Sequence, residues 1–328
     1  MLMTTPLILG AMNFGTTVDE ATSFALLDRF VERGGSWIDT ADCYAFWHSE
    51  TGYGGQSEEV LGRWLAARPG ARERVRIATK LGAEPRVAGQ WPASRTGLSA
   101  PAVHEAFEGS LRRLGVDSVD LLWLHMEDRA TPIEETVDAL AELTSSGRVA
   151  RVGASNHPAW RVERARRRAI TAGATPLDAL QLNHTYLRPR PDTRVTDHRF
   201  GVLSDEQLDY AAEEGLEVWA YSPLIGGAYD NPAKPIPDAY DHAGRARRLA
   251  VLTEVAAELG MQRGQVVLSW LAGADHPVRP ILGGSKLHQL DSALDAAAFE
   301  LPAEHRARLD HAVTAGPGPA EVAASTQA

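Results

Sequence analysis

Val119-Asp-Leu-Leu-Trp-Leu-His125 is a short apolar run that ends on one histidine, and an amphipathic segment, residues 133–146, follows it. Short aliphatic or β-branched runs alternate with longer amphipathic segments in this way along the whole chain, which is typical of βα units and a parallel sheet. Seven further strands are predicted over residues 7–9, 37–40, 75–79, 149–154, 179–182, 218–221 and 278–282. Eight strands, each followed by a helix, close an α/β barrel, so we predict a (β/α)8 TIM barrel.

Two stretches are too long to be ordinary turns, residues 187–202 and residues 223–244. Loops of this length in compact domains are usually functional, and in a barrel we expect them on the C-terminal face. Residues 1–315 are predicted to form one barrel domain. Gly316-Pro-Gly-Pro opens residues 316–328, which we predict to be a disordered C-terminal tail.

Capping residues and glycines support the helices of this pattern. Thr17 is predicted to cap a helix over residues 19–33, Ser99-Ala-Pro leads into residues 102–114, and Thr131-Pro-Ile-Glu opens residues 133–146. Helix ends that favour a left-handed residue carry glycine; these are Gly34, Gly115, Gly147, Gly215 and Gly260.

The composition argues against several classes of protein. With 33 basic and 43 acidic residues the formal net charge is −10, which opposes non-specific binding to nucleic acid. No apolar run approaches the roughly 20 residues that a membrane helix needs. Cys43 is the only cysteine, and no N-terminal basic region followed by an apolar stretch is present. Cytoplasmic residence is therefore expected.

Four polar residues stand at or just after the C-terminal ends of predicted strands, where α/β barrels carry their active sites; these are Asp39, Tyr44, Lys80 and His125. Each alone has a structural explanation, such as a turn cap or an exposed lysine. Together they bring a carboxylate, a phenol, an ammonium and an imidazole to one mouth of the barrel. That combination favours a catalytic site.

The four groups suit proton transfer. An unperturbed tyrosine has a pKa of about 10, and an adjacent ammonium is expected to lower the pKa of Tyr44 so that the phenol can donate a proton near neutrality. Asp39 would keep Lys80 charged in a partly desolvated cleft. His125 would orient the substrate oxygen.

Several segments resemble the signature segments of the aldo-keto reductases in order and context. They are Asp39-Thr-Ala-Asp-Cys-Tyr44, Ile77-Ala-Thr-Lys80, Asp120-Leu-Leu-Trp-Leu-His125, Gly153-Ala-Ser-Asn156, Gln181-Leu-Asn, Ala220-Tyr-Ser-Pro-Leu224 and Gly283-Gly-Ser-Lys-Leu-His-Gln-Leu290. The resemblance spans roughly residues 9–297 and is closest to the bacterial-type NADPH-dependent enzymes. It implies that Tyr44 is the general acid, that Lys80 and Asp39 tune it, and that His125 orients the substrate.

The resemblance also implies that NADPH is the cofactor and that a hydride passes to the carbonyl carbon of an aldehyde or ketone. Ser155, Asn156 and Gln181 would hydrogen-bond the nicotinamide carboxamide, and Tyr221 would stack on the ring. Around the rest of the cofactor it places Gly10, Ala11, Met12, Asp39, Ser222, Leu224, Gly283, Ser285, Lys286 and Gln289.

The phosphate end of the cofactor is expected at a helix predicted to begin near Lys286, because free N–H groups and the helix dipole favour anions. The resemblance implies that Ser285 and Lys286 contact the adenosine 2′-phosphate, which favours NADPH over NADH. The chain departs from the family at Ala293, where many relatives have the asparagine that contacts adenine. A first strand that begins at Leu7 also predicts a shortened or absent β-hairpin plug at the barrel bottom.

Specificity in this family comes from loops at the mouth, and the partner is expected to be a small carbonyl compound. Phe14, Phe46 and Trp47 are candidates for the wall of an apolar substrate pocket, although each could instead pack beneath a loop. Residues 45–56 form a longer segment than in compact relatives and could cover the substrate. The substrate itself and the oligomeric state stay open.

The residues present also suggest two other functions. A metal-dependent hydrolase could use Asp39, Asp42, His48 and His125, but no His-x-His or comparable ligand pair supports a metal site, and Lys80 would repel a divalent cation. Some proteins of this fold are cofactor-binding regulatory subunits of membrane channels, which commonly replace the histidine of the fourth strand. His125 is present here, so the sequence favours catalysis without a metal.

The assignment of Lys286 can be tested by replacing it with alanine. Loss of one charge-assisted contact, worth about 1.5–3 kcal/mol, should weaken NADPH binding much more than NADH binding in a fluorescence titration. Equal weakening of both cofactors would place the 2′-phosphate elsewhere.

Overall fold

The strands of the computed structural model close into the predicted barrel. The structure describes residues 8–312 except 192, 197 and 199. Its strands are β1 (Ile8–Gly10), β2 (Trp37–Asp39), β3 (Arg76–Leu81), β4 (Val119–Leu124), β5 (Val149–Ser155), β6 (Ala179–Asn183), β7 (Glu217–Tyr221) and β8 (Val278–Leu282). All neighbours pair in parallel, and Ile8 of β1 pairs with Ile281 of β8 to close the ring.

Helices follow the strands and cover the barrel. They are α1 (Glu20–Glu32), α2 (Gln56–Ala67), α3 (Ala71–Arg74), α4 (Ala100–Leu114), α5 (Ile133–Ser145), α6 (Ala159–Thr171), α7 (Asp205–Glu213), α8 (Ala243–Leu259), α9 (Arg263–Ala272), α10 (Leu287–Ala298) and α11 (Ala303–Asp310). Short 3-10 helices lie at Phe46–His48, Ile225–Gly227 and Asp238–Tyr240. Within the described ranges, no helix has both the length and the apolar character that a membrane crossing requires.

The two predicted long loops leave the C-terminal ends of β6 and β7 and pack against each other. The Tyr229 hydroxyl lies 2.7 Å from the Thr185 hydroxyl and accepts the Leu187 N–H at 3.1 Å. The Arg190 N–H donates to the Ala239 carbonyl at 2.8 Å. These contacts join the loops above the barrel and give its mouth a defined wall.

The predicted cap of the first helix is wrong. The backbone of Asp19 is still extended, and its carboxylate accepts the Thr22 N–H at 2.8 Å, so Asp19 and not Thr17 caps α1. The hydroxyl of Thr131 likewise caps nothing and donates to Asp128 at 2.8 Å. Ser99 does precede α4, although that helix begins earlier than predicted, at Ala100.

The five predicted helix-end glycines all have positive φ angles, as expected for left-handed termini; they are Gly34, Gly115, Gly147, Gly215 and Gly260. The start of the first predicted strand at Leu7, the N-terminal plug and the tail over 316–328 lie outside the described residues.

Three tryptophans fill the interior of the barrel. The Trp219 ring meets the rings of Trp37 and Trp123 edge-on, with centroids 5.2 Å and 5.1 Å away. Strand β5 makes room for them, because a Cβ at Gly153 would lie 2.5 Å from the Trp123 ring. The site therefore rests on a solid aromatic floor.

Below this floor, charged residues close the other end of the barrel. Glu217 accepts from Arg279 at 2.5 Å, contacts Arg151 at 3.2 Å and receives the indole N–H of Trp219. Both arginines are partly buried, and paired charges tolerate that position better than isolated ones.

The contribution of the floor can be tested with Trp219→Ala. Losing a fully buried indole should lower the free energy of unfolding by about 3–5 kcal/mol, measured by urea denaturation. Trp160→Ala is the matched control because Trp160 is 54% exposed, and it should cost far less. Equal losses would show that the interior rings are not tightly packed.

Candidate active site

The candidate site is the layer of side chains directly above the aromatic floor. Side chains alternate along a strand, so residues two apart point to the same side. Asp39 follows Trp37 by two positions, His125 follows Trp123, and Tyr221 follows Trp219. Lys80, Ser155 and Gln181 stand in the same relation to Ala78, Gly153 and Ala179. The barrel therefore brings together the polar residues that the sequence places at strand ends.

Lys80 occupies the centre of this layer and is 0% exposed. Its Nζ atom lies 2.6 Å from Asp39 Oδ2, 2.8 Å from the Thr40 carbonyl oxygen and 2.7 Å from the Tyr44 hydroxyl oxygen. An ammonium can donate three hydrogen bonds and can accept no hydrogen bond. All three are used, so the phenol oxygen accepts from lysine and its own hydrogen is free to point elsewhere.

The pKa shifts of Asp39, Lys80 and Tyr44 differ from the sequence-based expectation at Tyr44. Burial raises the pKa of the Asp39 carboxyl and lowers that of the Lys80 ammonium, while their mutual attraction opposes both shifts. Burial, and after it the negative charge of Asp39, raises the pKa of Tyr44 well above its ordinary value. The expectation of a lowered Tyr44 pKa is therefore wrong, and the phenol keeps its proton at neutral pH.

His125 lies just beyond β4 and beside Tyr44, with ring centroids 5.8 Å apart. Its carbonyl accepts from the Asn156 amide at 2.9 Å, and its Nδ1 lies 3.4 Å from Cys43 Sγ. Burial, with the Lys80 ammonium as the next cause, lowers the pKa of His125 well below its ordinary value. The imidazole is therefore neutral at physiological pH.

The residues assigned to the nicotinamide join neighbouring strand ends. Gln181 donates to Asp39 Oδ1 at 2.9 Å, and the Asn156 amide donates to the Ser155 hydroxyl at 3.0 Å. The Tyr221 hydroxyl donates to Asn156 Oδ1 at 2.8 Å, while its ring stays partly exposed. This network holds a flat aromatic face at the mouth, as stacking requires.

The residues assigned to the rest of the cofactor lie around the same rim. Gly10, Ala11 and Met12 end β1 or follow it, and Met12 is 42% exposed. Ser222 and Leu224 open the loop after β7. These positions border the mouth from two sides.

The segment assigned to the phosphates leads into α10 and is exposed. Lys286 is the N-cap residue of α10, which confirms the prediction of a helix that begins near Lys286. Its side chain makes no capping hydrogen bond. Gly283 and Ser285 precede it, and the Ser285 N–H donates to Gln289 Oε1 at 3.2 Å. Ala293 belongs to the core at 7% exposure.

The structure corrects the predicted wall of the substrate pocket at one residue, Phe14. Phe14 is 1% exposed and packs in the main core, so it has no surface to offer a substrate. Phe46 and Trp47 do lie beside the site, and the Trp47 ring centroid is 6.4 Å from that of Tyr44. They form the 3-10 helix that begins the predicted covering segment.

Two ring residues at the mouth were not foreseen. The Trp91 ring lies 5.6 Å from that of Phe46 and 6.2 Å from that of His198, which in turn lies 6.4 Å from His125. Trp91 is held by a hydrogen bond from its indole to the Ala83 carbonyl at 3.1 Å. The sequence signals were an aromatic residue in the segment after β3 for Trp91 and the long loop over residues 187–202 for His198.

A buried acidic cluster stands behind Tyr44. Glu58 is 0% exposed and accepts from Thr79 at 2.5 Å and from Arg113 at 2.7 Å. Asp42 is 4% exposed, and within the described part of the chain neither of its oxygens has a hydrogen-bond partner. Burial raises the pKa of Asp42 well above its ordinary value and that of Glu84 to about 7. The burial of this cluster therefore favours the protonated form of its carboxyl groups.

The four candidate ligands of a metal-dependent hydrolase do not form one site. Asp39 is engaged by Lys80 and Gln181, and His48 is exposed. Asp42 and His125 do approach each other, with Cys43 as a third neighbour, and their ligand atoms lie within 4.8 Å of one another. The positive charge of Lys80 acts on His125 and opposes a cation there.

Comparison with known proteins agrees with this geometry. The pattern of the Aldo/keto reductase family matches residues 6–314. The uncharacterized oxidoreductase YrpG of Bacillus subtilis is 30% identical over 319 residues, which cover 95% of this chain and 93% of that protein. The chain therefore belongs to the aldo/keto reductase family and is an oxidoreductase of that family.

Two fungal relatives carry more specific names. Norsolorinic acid reductase stcV of Emericella nidulans is 30% identical over 313 residues, covering 91% of this chain and 76% of that protein. Aryl-alcohol dehydrogenase (NADP(+)) of Phanerodontia chrysosporium is 27% identical over 341 residues, covering 95% and 83%.

The protonation of the acidic cluster can be tested with Glu84→Gln. A carboxyl whose pKa is raised in the folded state, here from 4.5 to about 7, loses its stabilising contribution as pH rises between these values. The free energy of unfolding of the variant, relative to the wild type, should therefore rise between about pH 4.5 and about pH 7. Urea denaturation at several pH values measures this difference.

Glutamine keeps the oxygen that accepts the Gly54 N–H at 2.9 Å, so the local contact is conserved. A difference between Glu84→Gln and the wild type that stays constant with pH would contradict the raised pKa.

Proposed function

We propose that the protein reduces the carbonyl group of an aldehyde or ketone with NADPH, and that Tyr44 is the general acid. The observation that carries the proposal is the saturation of Lys80. Because the ammonium donates to the Tyr44 oxygen at 2.7 Å, the phenol hydrogen is left to donate toward the mouth of the barrel. A fixed, protonated donor at this position suits a carbonyl oxygen.

The residues around the mouth fit the cofactor. Tyr221 offers a partly exposed ring for stacking, and the buried side chains of Ser155 and Gln181 stand beside it as amide partners. The uncapped start of α10 offers N–H groups and the Lys286 ammonium to phosphate. When bound, NADPH supplies the hydride. The name of the NADP(+) aryl-alcohol dehydrogenase relative supports this choice of cofactor.

Side chains of the site can stabilise the charge that develops during reduction. Tyr44 delivers its proton to the carbonyl oxygen and becomes a phenolate. Lys80, already in contact with that oxygen, stabilises the phenolate, and Asp39 keeps Lys80 positively charged. The raised pKa of Tyr44 keeps the proton in place until a substrate oxygen is there to take it.

The wall of the mouth favours a carbonyl compound with an aromatic ring. Phe46, Trp47 and Trp91 form successive ring contacts of 5.0 Å and 5.6 Å beside the catalytic tyrosine. Aromatic rings stack on one another favourably. The name of one fungal relative, an aryl-alcohol dehydrogenase, points to the same class. The presence of His125 beside Tyr44 favours an enzyme over a regulatory subunit.

Replacing Tyr44 with phenylalanine tests the proposal. The variant should keep its affinity for NADPH and lose carbonyl turnover by a factor of about 10² or more, the scale of a lost general acid. Loss of NADPH absorbance with aromatic aldehydes and ketones measures turnover, and fluorescence titration measures binding.

Tyr210→Phe is the matched control, because Tyr210 lies on helix α7 and its hydroxyl donates to Glu163 at 3.1 Å, away from the mouth. It should retain full activity. Undiminished turnover in Tyr44→Phe would overturn the assignment of the acid.

A further inference from the structure

Cys43 contacts His125, and the proposed reaction assigns no role to this contact. Its Sγ atom lies 3.4 Å from Nδ1 of His125, and both side chains are buried, at 2% and 9% exposure. The thiol belongs to a buried cluster with the apolar side chains of Ala41, Ala83 and Met126. A carboxylate oxygen of Asp42 lies within 4.8 Å of both the thiol and a ring nitrogen of His125. The contact with His125 Nδ1 is within hydrogen-bonding distance of sulfur.

Both groups are neutral in this setting. Burial, followed by the charges of Asp42 and Glu84, raises the pKa of the Cys43 thiol well above its ordinary value, so it keeps its hydrogen. Burial lowers the pKa of His125, so the ring carries one N–H. A neutral imidazole donates from one nitrogen and accepts at the other, and the partner of one nitrogen decides the role of the second.

Two arrangements are then open to the pair. If Nδ1 carried the hydrogen, it would donate to sulfur, which is a weak acceptor, and Nε2 would present a lone pair that repels a carbonyl oxygen. If the thiol donates instead, a good acceptor nitrogen is used and the hydrogen stays on Nε2. The second arrangement makes the better hydrogen bond and leaves a donor for the substrate.

We propose that Cys43 is a positioning residue whose thiol donates to Nδ1 of His125 and so holds the imidazole in the tautomer that presents Nε2–H to the substrate carbonyl. The kinetic consequence rests on the proposed reductase function. The tautomer itself is a property of the protein alone and can be measured without turnover.

The first test measures the tautomer of His125 by NMR. Protein labelled with ¹⁵N in the histidine rings gives two-bond nitrogen–proton correlations that distinguish a protonated nitrogen from an unprotonated one, and His125→Asn identifies the signals of His125 by their loss. The wild type and Cys43→Ser should show an unprotonated Nδ1 and a protonated Nε2. Cys43→Ala, which lacks the donor, should show a mixture of tautomers.

The second test measures kinetics on the same variants. Cys43→Ala should lower kcat/KM about 3- to 10-fold, the loss that corresponds to one neutral hydrogen bond, with unchanged affinity for NADPH. Cys43→Ser keeps an O–H donor and should recover most of the loss. Thermal denaturation shows whether each variant is folded, and a loss of activity that followed melting temperature rather than tautomer would mean a packing role only.

The outcomes separate the two proposals. A protonated Nδ1 in the wild type, or an unchanged tautomer in Cys43→Ala, overturns the role of Cys43 whatever the activity. Absence of any carbonyl turnover in the wild type would overturn the proposed function, while the NMR measurement would still decide the tautomer.

Discussion

Lys80 carries an ammonium into a layer of the barrel that water does not reach, and three oxygen atoms meet it there. An uncompensated charge at that depth would cost several kcal/mol, about 3–5 when one partner is removed. The three acceptors all belong to one short stretch of chain that leaves β2, namely Asp39, the Thr40 carbonyl and Tyr44. The hydrogen bond from Lys80, on the next strand, therefore holds the Tyr44 hydroxyl in place, while the ring of Tyr44 packs beside those of Trp47 and His125.

This charged layer depends in turn on the aromatic floor beneath it. Trp37, Trp123 and Trp219 fill the barrel interior, and each is followed two residues later by a polar side chain of the site. The floor excludes water from below, which strengthens every electrostatic contact above it. Gly153 shows how tightly the floor is packed, since a side chain there would displace the Trp123 ring. The same strands therefore carry the packed tryptophans and, one layer above them, the polar side chains of the site.

Much of the fold and of the site follows from local patterns. The alternation of apolar runs and amphipathic segments predicts eight strands, and the positions at strand ends predict that Asp39, Lys80 and His125 meet, because in a parallel barrel every strand end reaches the same face. Details that depend on competition between neighbouring side chains are predicted less well. Asp19 and not Thr17 caps α1, since Asp19 directly precedes the first helical residue, Glu20, and its carboxylate reaches the Thr22 N–H.

By itself, then, the sequence determined the barrel, the polar set at its mouth and the family to which that set belongs, because these follow from short-range periodicity and the order of motifs. Tertiary structure alone decided which aromatic rings lie beside the site, burying Phe14 and exposing Trp47. It also reversed the expected direction of the Tyr44 pKa shift and joined Cys43 to a histidine 82 residues away. These features depend on the depth of burial and on contacts between segments distant in the chain, which no local pattern encodes.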